Sequence, residues 1–282
     1  MFGLQRWQVE NTVKLIDEGN TIPFIARYRK EAHGTLDDQV LRELSEKLEY
    51  LRNLDKRREE ISASITAQEK MTPEIEAALE KASTLAEVED IYRPFRPKRR
   101  TRASIAKEKG LEPLADAIFA QTADSASPAE LAADYIDAEK GVETVEDAIN
   151  GAMDIIAENI SDDADIRRRL RSLFTVAGVL QSRAADSEKE SVYTMYYEYD
   201  EPVNKIAGHR VLAVNRGENE GFLKVGIDVD RIKAMNIINA NVLSDNGSAC
   251  TDTVRDAAAD AYDRLIFCLL YTSDAADEED SV

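Results

Sequence analysis

The segment RPFRPKRRTR, residues 93–102, holds five arginines and one lysine in ten positions and no acidic residue. Guanidinium groups pair with phosphate oxygens in bidentate fashion, and their planes stack on unpaired bases. An aromatic residue within the segment adds a stacking surface. The residue types therefore predict contact with a nucleic-acid backbone. The candidate residues are Arg93, Phe95, Arg96, Lys98, Arg99, Arg100 and Arg102.

Two prolines determine how this segment, which we call the basic connector, is presented. Pro94 and Pro97 disfavour helix on either side of the aromatic residue. They predict an extended connector, with splayed cations, between a helix ending near Tyr92 and one beginning near Ala103. The alternative is that the connector docks on an acidic face of the same or a neighbouring domain. A formal net charge of −19 keeps that alternative open.

Three further groups have both a chemical and a structural interpretation. The arginines of RRRLR (167–171) follow the acidic residues of 162–165, so local ion pairing is favoured over phosphate binding. Tyr193, Tyr196 and Tyr197 have helical spacing, which favours packing over base stacking. Gly217 is predicted to end a helix, and Gly221 to form a turn before a strand.

Little in the sequence points to catalysis. There is no P-loop, no G-x-G-x-x-G after a strand, no G-x-S-x-G and no histidine pair at metal spacing. His33 and His209 are the only histidines, and Cys250 and Cys268 lack metal-ligand spacing. We therefore expect a non-enzymatic chain with no cofactor and no metal. A hidden nuclease or hydrolase activity is the weaker alternative.

The elements that must position the basic connector are mostly helical. Capping boxes are predicted at Thr35…Asp38, Thr84…Glu87, Ser127…Glu130 and Thr144…Asp147. Leucines and isoleucines at three- and four-residue steps predict one long helix over residues 36–69. Shorter helices are predicted near 73–83, 85–93, 103–109, 112–121, 128–138, 145–160 and 162–174. The fold class is mainly α, an elongated multi-helix array with helix-turn-helix-like elements around the long helix and a short strand near 222–230.

Composition restricts the cellular setting. The 282 residues are 43% hydrophobic, and the longest apolar run, residues 265–271, is far shorter than the roughly 20 residues of a membrane span. We expect a cytoplasmic protein with no membrane partner. The acidic balance disfavours non-specific nucleic-acid binding, so binding must be concentrated locally.

The last fifteen residues, 268–282, are unlike the rest. The hexapeptide CLLYTS at 268–273 is what a transposase-type sequencing adapter, TGTCTCTTATACACATCT, encodes. We therefore expect residues 268–282 to be an adapter-derived artefact that begins after Phe267. A natural acidic tail is the alternative. Without residues 268–282, and hence without five carboxylates, the net charge would be −14.

Four blocks resemble the Tex family of bacterial transcription accessory proteins. They are NTIPFIARYRKEAHGTLDD (20–38), LEYLRNLDKRREEI (48–61), IYRPFRPKRRTRASIAKEKGLEPLAD (91–116) and HRVLAVNRGENEGFL (209–223). The resemblance runs from about residue 8 to about residue 266. The family more often has tyrosine and lysine where Phe95 and Arg96 stand, which keeps an aromatic and a cation.

The resemblance implies an N-terminal fragment of a longer protein. It implies a helical N-terminal domain over 1–185 and, over 186–267, the start of a central region leading to an RNase H-like domain. The family's RNA-binding barrel would lie farther along. The main hypothesis is thus a helical scaffold of a nucleic-acid-binding, chiefly RNA-binding, transcription accessory protein. The alternative is a protein-interaction scaffold that docks on polymerase, on the ribosome or on its own further domains.

Overall fold

The structure is a computed structural model that describes residues 3–96 and 100–267. It is mainly α, as predicted, and it divides into two compact units, one up to Tyr92 and one from Arg93 onward. In the described part of the chain, no helix combines the length and the apolar character needed to cross a membrane. The predicted helix-turn-helix-like elements stay a prediction.

The first unit is entirely helical where it is described. Its helices are α1 (Arg6–Asp17), α2 (Ile22–Tyr28), α3 (Lys30–His33), α4 (Asp38–Ala67), α5 (Pro73–Lys81) and α6 (Leu85–Tyr92). The predicted long helix is α4, and it buries a single stripe that includes Leu41, Leu54 and Ile61. The period of its apolar residues therefore predicted its length and most of its inward face. Leu51 belongs to the predicted stripe but is exposed at 43%.

Three of the four predicted capping boxes are confirmed. Ser127, for example, accepts from the Glu130 N–H, and the Glu130 carboxylate accepts from the Ser127 N–H at 2.8 Å. The boxes Thr84…Glu87 and Thr144…Asp147 are made in the same way. The prediction of a capping box at Thr35 is wrong. Thr35 has φ of 60° and its hydroxyl donates to the Gly34 carbonyl, so Asp37 precedes α4 as N-cap.

The second unit combines helices with a small sheet. Its helices are α7 (Arg102–Glu108), α8 (Glu112–Phe119), α9 (Pro128–Ala132), α10 (Val145–Asp162), α11 (Ala164–Ala177), α12 (Gly208–Asn219), α13 (Arg231–Val242) and α14 (Thr251–Asp260), the last continuing as a π-helix, Ala261–Ile266. The helix predicted over 128–138 is α9 followed by a 3₁₀ turn, Ala133–Tyr135. The largest core cluster centres on α10, whose residues Ala152, Ile155 and Ile156 are fully buried against α7, α8 and α14.

The sheet has three antiparallel strands in the order β2-β1-β3. They are β1 (Val179–Ala184), β2 (Glu198–Pro202) and β3 (Leu223–Asp228). The strand predicted near 222–230 is β3 and is confirmed, whereas the sequence did not predict β1 and β2. The sequence of β2, EYDEP, is acid-rich, and its residues alternate between exposed and half-buried. It therefore lacks the alternation of apolar and polar residues that predicts a strand.

A second, small core lies beside this sheet. Tyr193 and Tyr196 are buried there with Leu180, Val214 and Leu223, which confirms packing over base stacking for these two rings. Their element is a 3₁₀ turn, Thr194–Tyr196, rather than a regular helix.

The two glycines near this core have different outcomes. Gly221 has φ of +76° and forms the turn before β3, as predicted. Gly217 was predicted to end the helix but lies within α12. A Cβ there would stand 2.6 Å from Leu223 Cδ1, so the residue is small because the strand packs against it.

Candidate nucleic-acid interface

The basic connector begins with a tight turn. Arg93–Phe95 forms a 3₁₀ turn, and the Arg96 N–H donates to the Arg93 carbonyl at 3.3 Å. The expectation of a fully extended connector is therefore wrong at its start. The fixed φ of Pro94, near −65°, suits a 3₁₀ turn as well as an extended chain. Pro97, Lys98 and Arg99 lie outside the described residues.

The first cation of the connector is held within the second unit. Arg93 Nε donates to Asp162 Oδ1 at 2.9 Å, and the Arg93 and Asp162 side chains keep only 23% and 9% of their exposure. A charge pair this sheltered from water is a strong anchor, because removing either partner leaves a charge in a poorly solvated place. Arg93 is thus not splayed into solvent, and for this residue the docking alternative holds.

The surface that receives Arg93 is an acidic row along α10. Asp154, Glu158 and Asp162 follow one another at four-residue steps and therefore share one side of the helix. Arg264 Nη2 donates to Asp154 Oδ1 at 3.0 Å. Burial raises the pKa of Asp154 above its ordinary value, although the charges of Arg264 and Arg102 lower it. The two ends of the connector are thus both coupled electrostatically to this row.

The far end of the connector is fixed by a helix cap. The Ser104 N–H donates to Thr101 Oγ1 at 3.0 Å, and the Thr101 N–H donates to Ser104 Oγ at 2.8 Å. α7 consequently begins at Arg102, one residue before the predicted position. The connector is therefore bounded by the Arg93–Asp162 pair and by this cap.

The other described candidates are more accessible. Arg96, Arg100 and Arg102 are exposed, and Phe95 is half-buried. Arg100 stands 3.7 Å from the Glu108 carboxylate, with both side chains largely in solvent, so this pair is weak. The structure therefore distinguishes one sheltered cation, Arg93, from three cations whose side chains are exposed.

The second basic group is paired locally, as expected. Arg168 and Arg169 both pair with Asp165 in the first turn of α11, the latter at 2.6 Å, and Arg167 is buried. These contacts lie within one helix and hold Arg168 and Arg169 along its surface. They favour the ion-pairing interpretation over a phosphate site.

The sequence did not single out one surface feature of the first unit. Phe24 and Tyr28 on α2 are exposed at 38% and 64%, and their ring centroids are 5.3 Å apart. Arg29 lies over the Phe24 ring, with its Cζ 5.7 Å from the centroid. The signal that could have found this group is the alternation of aromatic and basic residues in FIARYRK, 24–30.

Comparison with known proteins identifies the family. Residues 1–66 match the Tex-like protein N-terminal domain, and residues 123–267 match the Tex central region-like family. The chain is 43% identical over 269 residues to the uncharacterized protein YdcI of Bacillus subtilis, covering 94% of this chain and 37% of that protein.

Other relatives have more informative names. Protein tex of Bordetella pertussis is 44% identical over 232 residues (81% of this chain, 29% of that protein). The transcriptional accessory protein Tex of Neisseria gonorrhoeae is 39% identical over 225 residues (78% and 29%). A more distant human relative, S1 RNA-binding domain-containing protein 1, is 31% identical over 237 residues (80% and 23%). The chain spans less than two fifths of the length of each of these relatives. With two successive matches to Tex family models, this chain belongs to the Tex family of transcription accessory proteins.

Proposed function

We propose that this chain is a helical scaffold that binds single-stranded nucleic acid, foremost RNA, in a Tex-type transcription accessory protein. Two relatives support the assignment by name, one as a transcriptional accessory protein and one as carrying an S1 RNA-binding domain. In this proposal the basic connector contacts the phosphate backbone and the helices hold it in place.

The observation that carries the proposal is where the cations lie. In a chain of net charge −19, six cationic residues fall within ten positions. The segment is held by the Arg93–Asp162 pair at one end and by the Thr101 cap at the other, while Arg96 and Arg100 remain exposed between them. Cations on an anchored backbone lose less conformational entropy on binding than cations on a loose tail.

The expected contact is electrostatic and tolerant of sequence. Arginine and lysine side chains on a short loop can neutralise phosphates, but the described residues of the connector, 93–96 and 100–102, include no element shaped to read base edges. If it neutralises about four phosphates of a single strand, the logarithm of affinity should fall against the logarithm of salt concentration with a slope of about −3.

A triple substitution tests the connector. Lys98→Ala/Arg99→Ala/Arg100→Ala should make the salt slope shallower by about 2, since each lost phosphate contact removes about 0.7 from the slope. The measurement is fluorescence anisotropy of a labelled oligouridine at several salt concentrations. An unchanged slope and an unchanged affinity would reject the connector as a nucleic-acid contact.

The matched control removes three exposed lysines from elsewhere in the second unit. Lys205→Ala/Lys224→Ala/Lys233→Ala lowers the net charge by the same amount and leaves the connector intact. We expect the control to keep the original slope. Equal effects of the two triple variants would mean that overall charge, and not the connector, governs binding.

A second function is favoured by the Arg93–Asp162 pair. Because one connector cation already docks on an acidic helix, the segment is chemically suited to acidic protein surfaces as well. Under this alternative the chain is an interaction scaffold that binds polymerase, a ribosomal component or further domains of its own protein. The connector triple variant would then weaken capture of that partner and leave oligouridine affinity unchanged.

We propose further that the chain acts without catalysis. His33 supports this, since its ring is engaged in the fold: Nδ1 accepts the Leu36 N–H at 3.0 Å and Nε2 donates to the Ile25 carbonyl at 3.2 Å. A histidine with both nitrogens used in this way has none to offer a substrate. Incubation with labelled RNA and Mg²⁺ or Mn²⁺ should leave the RNA intact, and metal-dependent cleavage by the purified chain would contradict the proposal.

A further inference from the structure

We infer that the first unit carries its own contact for unpaired bases, a surface formed by α2 and the start of α3. We call it the aromatic–basic surface and define it by Phe24, Arg27, Tyr28, Arg29 and Lys30. This inference takes its ligand class, single-stranded nucleic acid, from the proposed function. It concerns residues of the other unit and stands or falls separately from the basic connector.

The two aromatic rings form the centre of this surface. Their planes are inclined by 44° at a centroid separation of 5.3 Å, and Arg29 covers part of Phe24. Tyr28 keeps 64% of its exposure, so one ring of the pair is open to solvent. Base–aromatic stacking is tolerant of sequence because every base has a π-face, and a flanking guanidinium strengthens it.

The cations around the rings differ from the other arginines of the same unit. Within residues 3–96 and 100–267, no carboxylate forms an ion pair with Arg27, Arg29 or Lys30. Arg6, Arg42 and Arg52 are also exposed, yet each pairs with an acidic residue at 2.5–2.8 Å. In a chain with 55 acidic residues, three adjacent cations without such pairs are available to an external anion. Glu31 is the exposed acidic residue that follows them.

The backbone beneath the surface is held firmly. Ile25 is fully buried. The His33 ring bonds through Nε2 to the Ile25 carbonyl and through Nδ1 to the Leu36 N–H, and so links α2 to the turn before α4. From α1, Gln8 Nε2 donates to the His33 carbonyl at 3.1 Å, and Asn11 Nδ2 donates to the Ala32 carbonyl at 3.0 Å. These bonds satisfy carbonyls at the end of α3 and hold α3 against α1, while the His33–Ile25 bond links α3 to α2. The rings are thus presented on a preorganised support, which lowers the entropic cost of binding.

The combination of groups favours nucleic acid over an acidic peptide. Carboxylates would satisfy the three cations but would leave the open face of Tyr28 without a partner. A single strand supplies phosphates and flat bases together, at the spacing of one nucleotide. Duplex nucleic acid keeps its bases stacked internally and offers no base face, so it should bind this surface less well.

The first test concerns stacking. In the 282-residue chain, Tyr28→Ser should weaken binding of a labelled oligouridine of about 20 nucleotides by about tenfold, because one stacking platform is lost. Tyr28→Phe keeps the ring and should bind within about twofold of the unchanged chain. Thermal unfolding of both variants checks that the exposed position tolerates the change.

The second test concerns charge. Arg27→Gln/Arg29→Gln/Lys30→Gln should make the salt slope shallower by about 2. The matched control, Arg6→Gln/Lys14→Gln/Arg42→Gln, removes the same three charges from exposed positions of the same unit. We expect the control to keep the slope of the unchanged chain.

The outcomes separate this inference from the proposed function. Loss of affinity in the connector variant, with Tyr28→Ser unchanged, would reject the aromatic–basic surface and keep the connector. The reverse result would reject the connector and keep this surface. Equal affinity of the chain for duplex and single-stranded nucleic acid would overturn base stacking. So would a Tyr28→Ser variant that binds a polyglutamate peptide more weakly but binds oligouridine as well as the unchanged chain does. No binding of oligouridine by the unchanged chain would reject both proposals.

Discussion

At the scale of single residues, Arg93 separates what sequence can and cannot predict. Its charge and its membership of a basic segment are visible in the sequence. Its partner Asp162 lies 69 positions away, and only the packing of the second unit brings the two together. The sequence therefore predicted a patch of cations, whereas the structure assigns one of them to the fold itself.

The Arg93–Asp162 pair should contribute measurably to stability. Arg93→Ala removes a charge-assisted bond from a carboxylate that is nearly buried, and we expect a loss of about 2 kcal/mol in the free energy of unfolding. Urea denaturation followed by circular dichroism measures the effect. Arg168→Ala, which breaks an exposed pair on α11, serves as the control and should cost less than about 1 kcal/mol. Equal costs for the two variants would show that the Arg93 pair is no anchor.

At the scale of elements, local signals predicted the helices better than the strands. Periodic leucines and capping boxes act within one or two turns, so α4, α6, α9 and α10 could be found without tertiary information. β1 forms a strand because it pairs with β2 and β3, which are separate from it in sequence. The alternation of apolar and polar residues in these segments is weak. Whether such a segment forms a strand therefore depends on its pairing with neighbouring strands. The aromatic–basic surface was missed similarly, since its exposure depends on how α2 packs.

The capping box of α6 should make stability depend on pH in the acid range. The Ser83 N–H donates to Glu87 Oε2 at 2.7 Å, and this bond is the largest of those that lower the pKa of Glu87 below its ordinary 4.5. A carboxylate whose pKa is lower in the folded than in the unfolded state stabilises the folded state. This contribution is fully present above the unfolded-state pKa and is lost as pH falls through the folded-state pKa. The unfolding free-energy difference between the unchanged chain and Glu87→Gln should therefore be largest near neutrality and shrink below about pH 4.5.

The control for this prediction is Glu59→Gln, on an exposed position of α4 in the same unit. Guanidinium chloride titrations at a series of pH values, for the unchanged chain and both variants, give the comparison. We expect the Glu59 variant to follow the unchanged chain at every pH. A Glu87 difference that stays constant from neutrality to pH 3 would show that the carboxylate's charge does not stabilise the cap.

At the scale of the whole molecule, the domain border expected from the sequence and the border between the two compact units lie at different positions in the chain. The sequence leads us to expect a domain border between residues 185 and 186, after the helical series, and this border stays a prediction. In the structure the compact units meet in the chain at Tyr92 and Arg93. The main core cluster joins α8 and α10 with α13 and α14, and hence residues from both sides of position 185. Such long-range packing has no local sequence signal.

Truncation distinguishes these divisions. A chain of residues 93–267 keeps every member of the main cluster, so we expect it to unfold cooperatively in urea. A chain of residues 93–185 lacks α13 and α14, whose Ile238 and Val254 are fully buried in that cluster. Its exposed apolar surface should leave it without a cooperative transition, because the lost burial is a large part of a marginal stability. A sharp transition for residues 93–185, with native-like near-ultraviolet circular dichroism, would instead support the border near 185 as the edge of a self-sufficient domain.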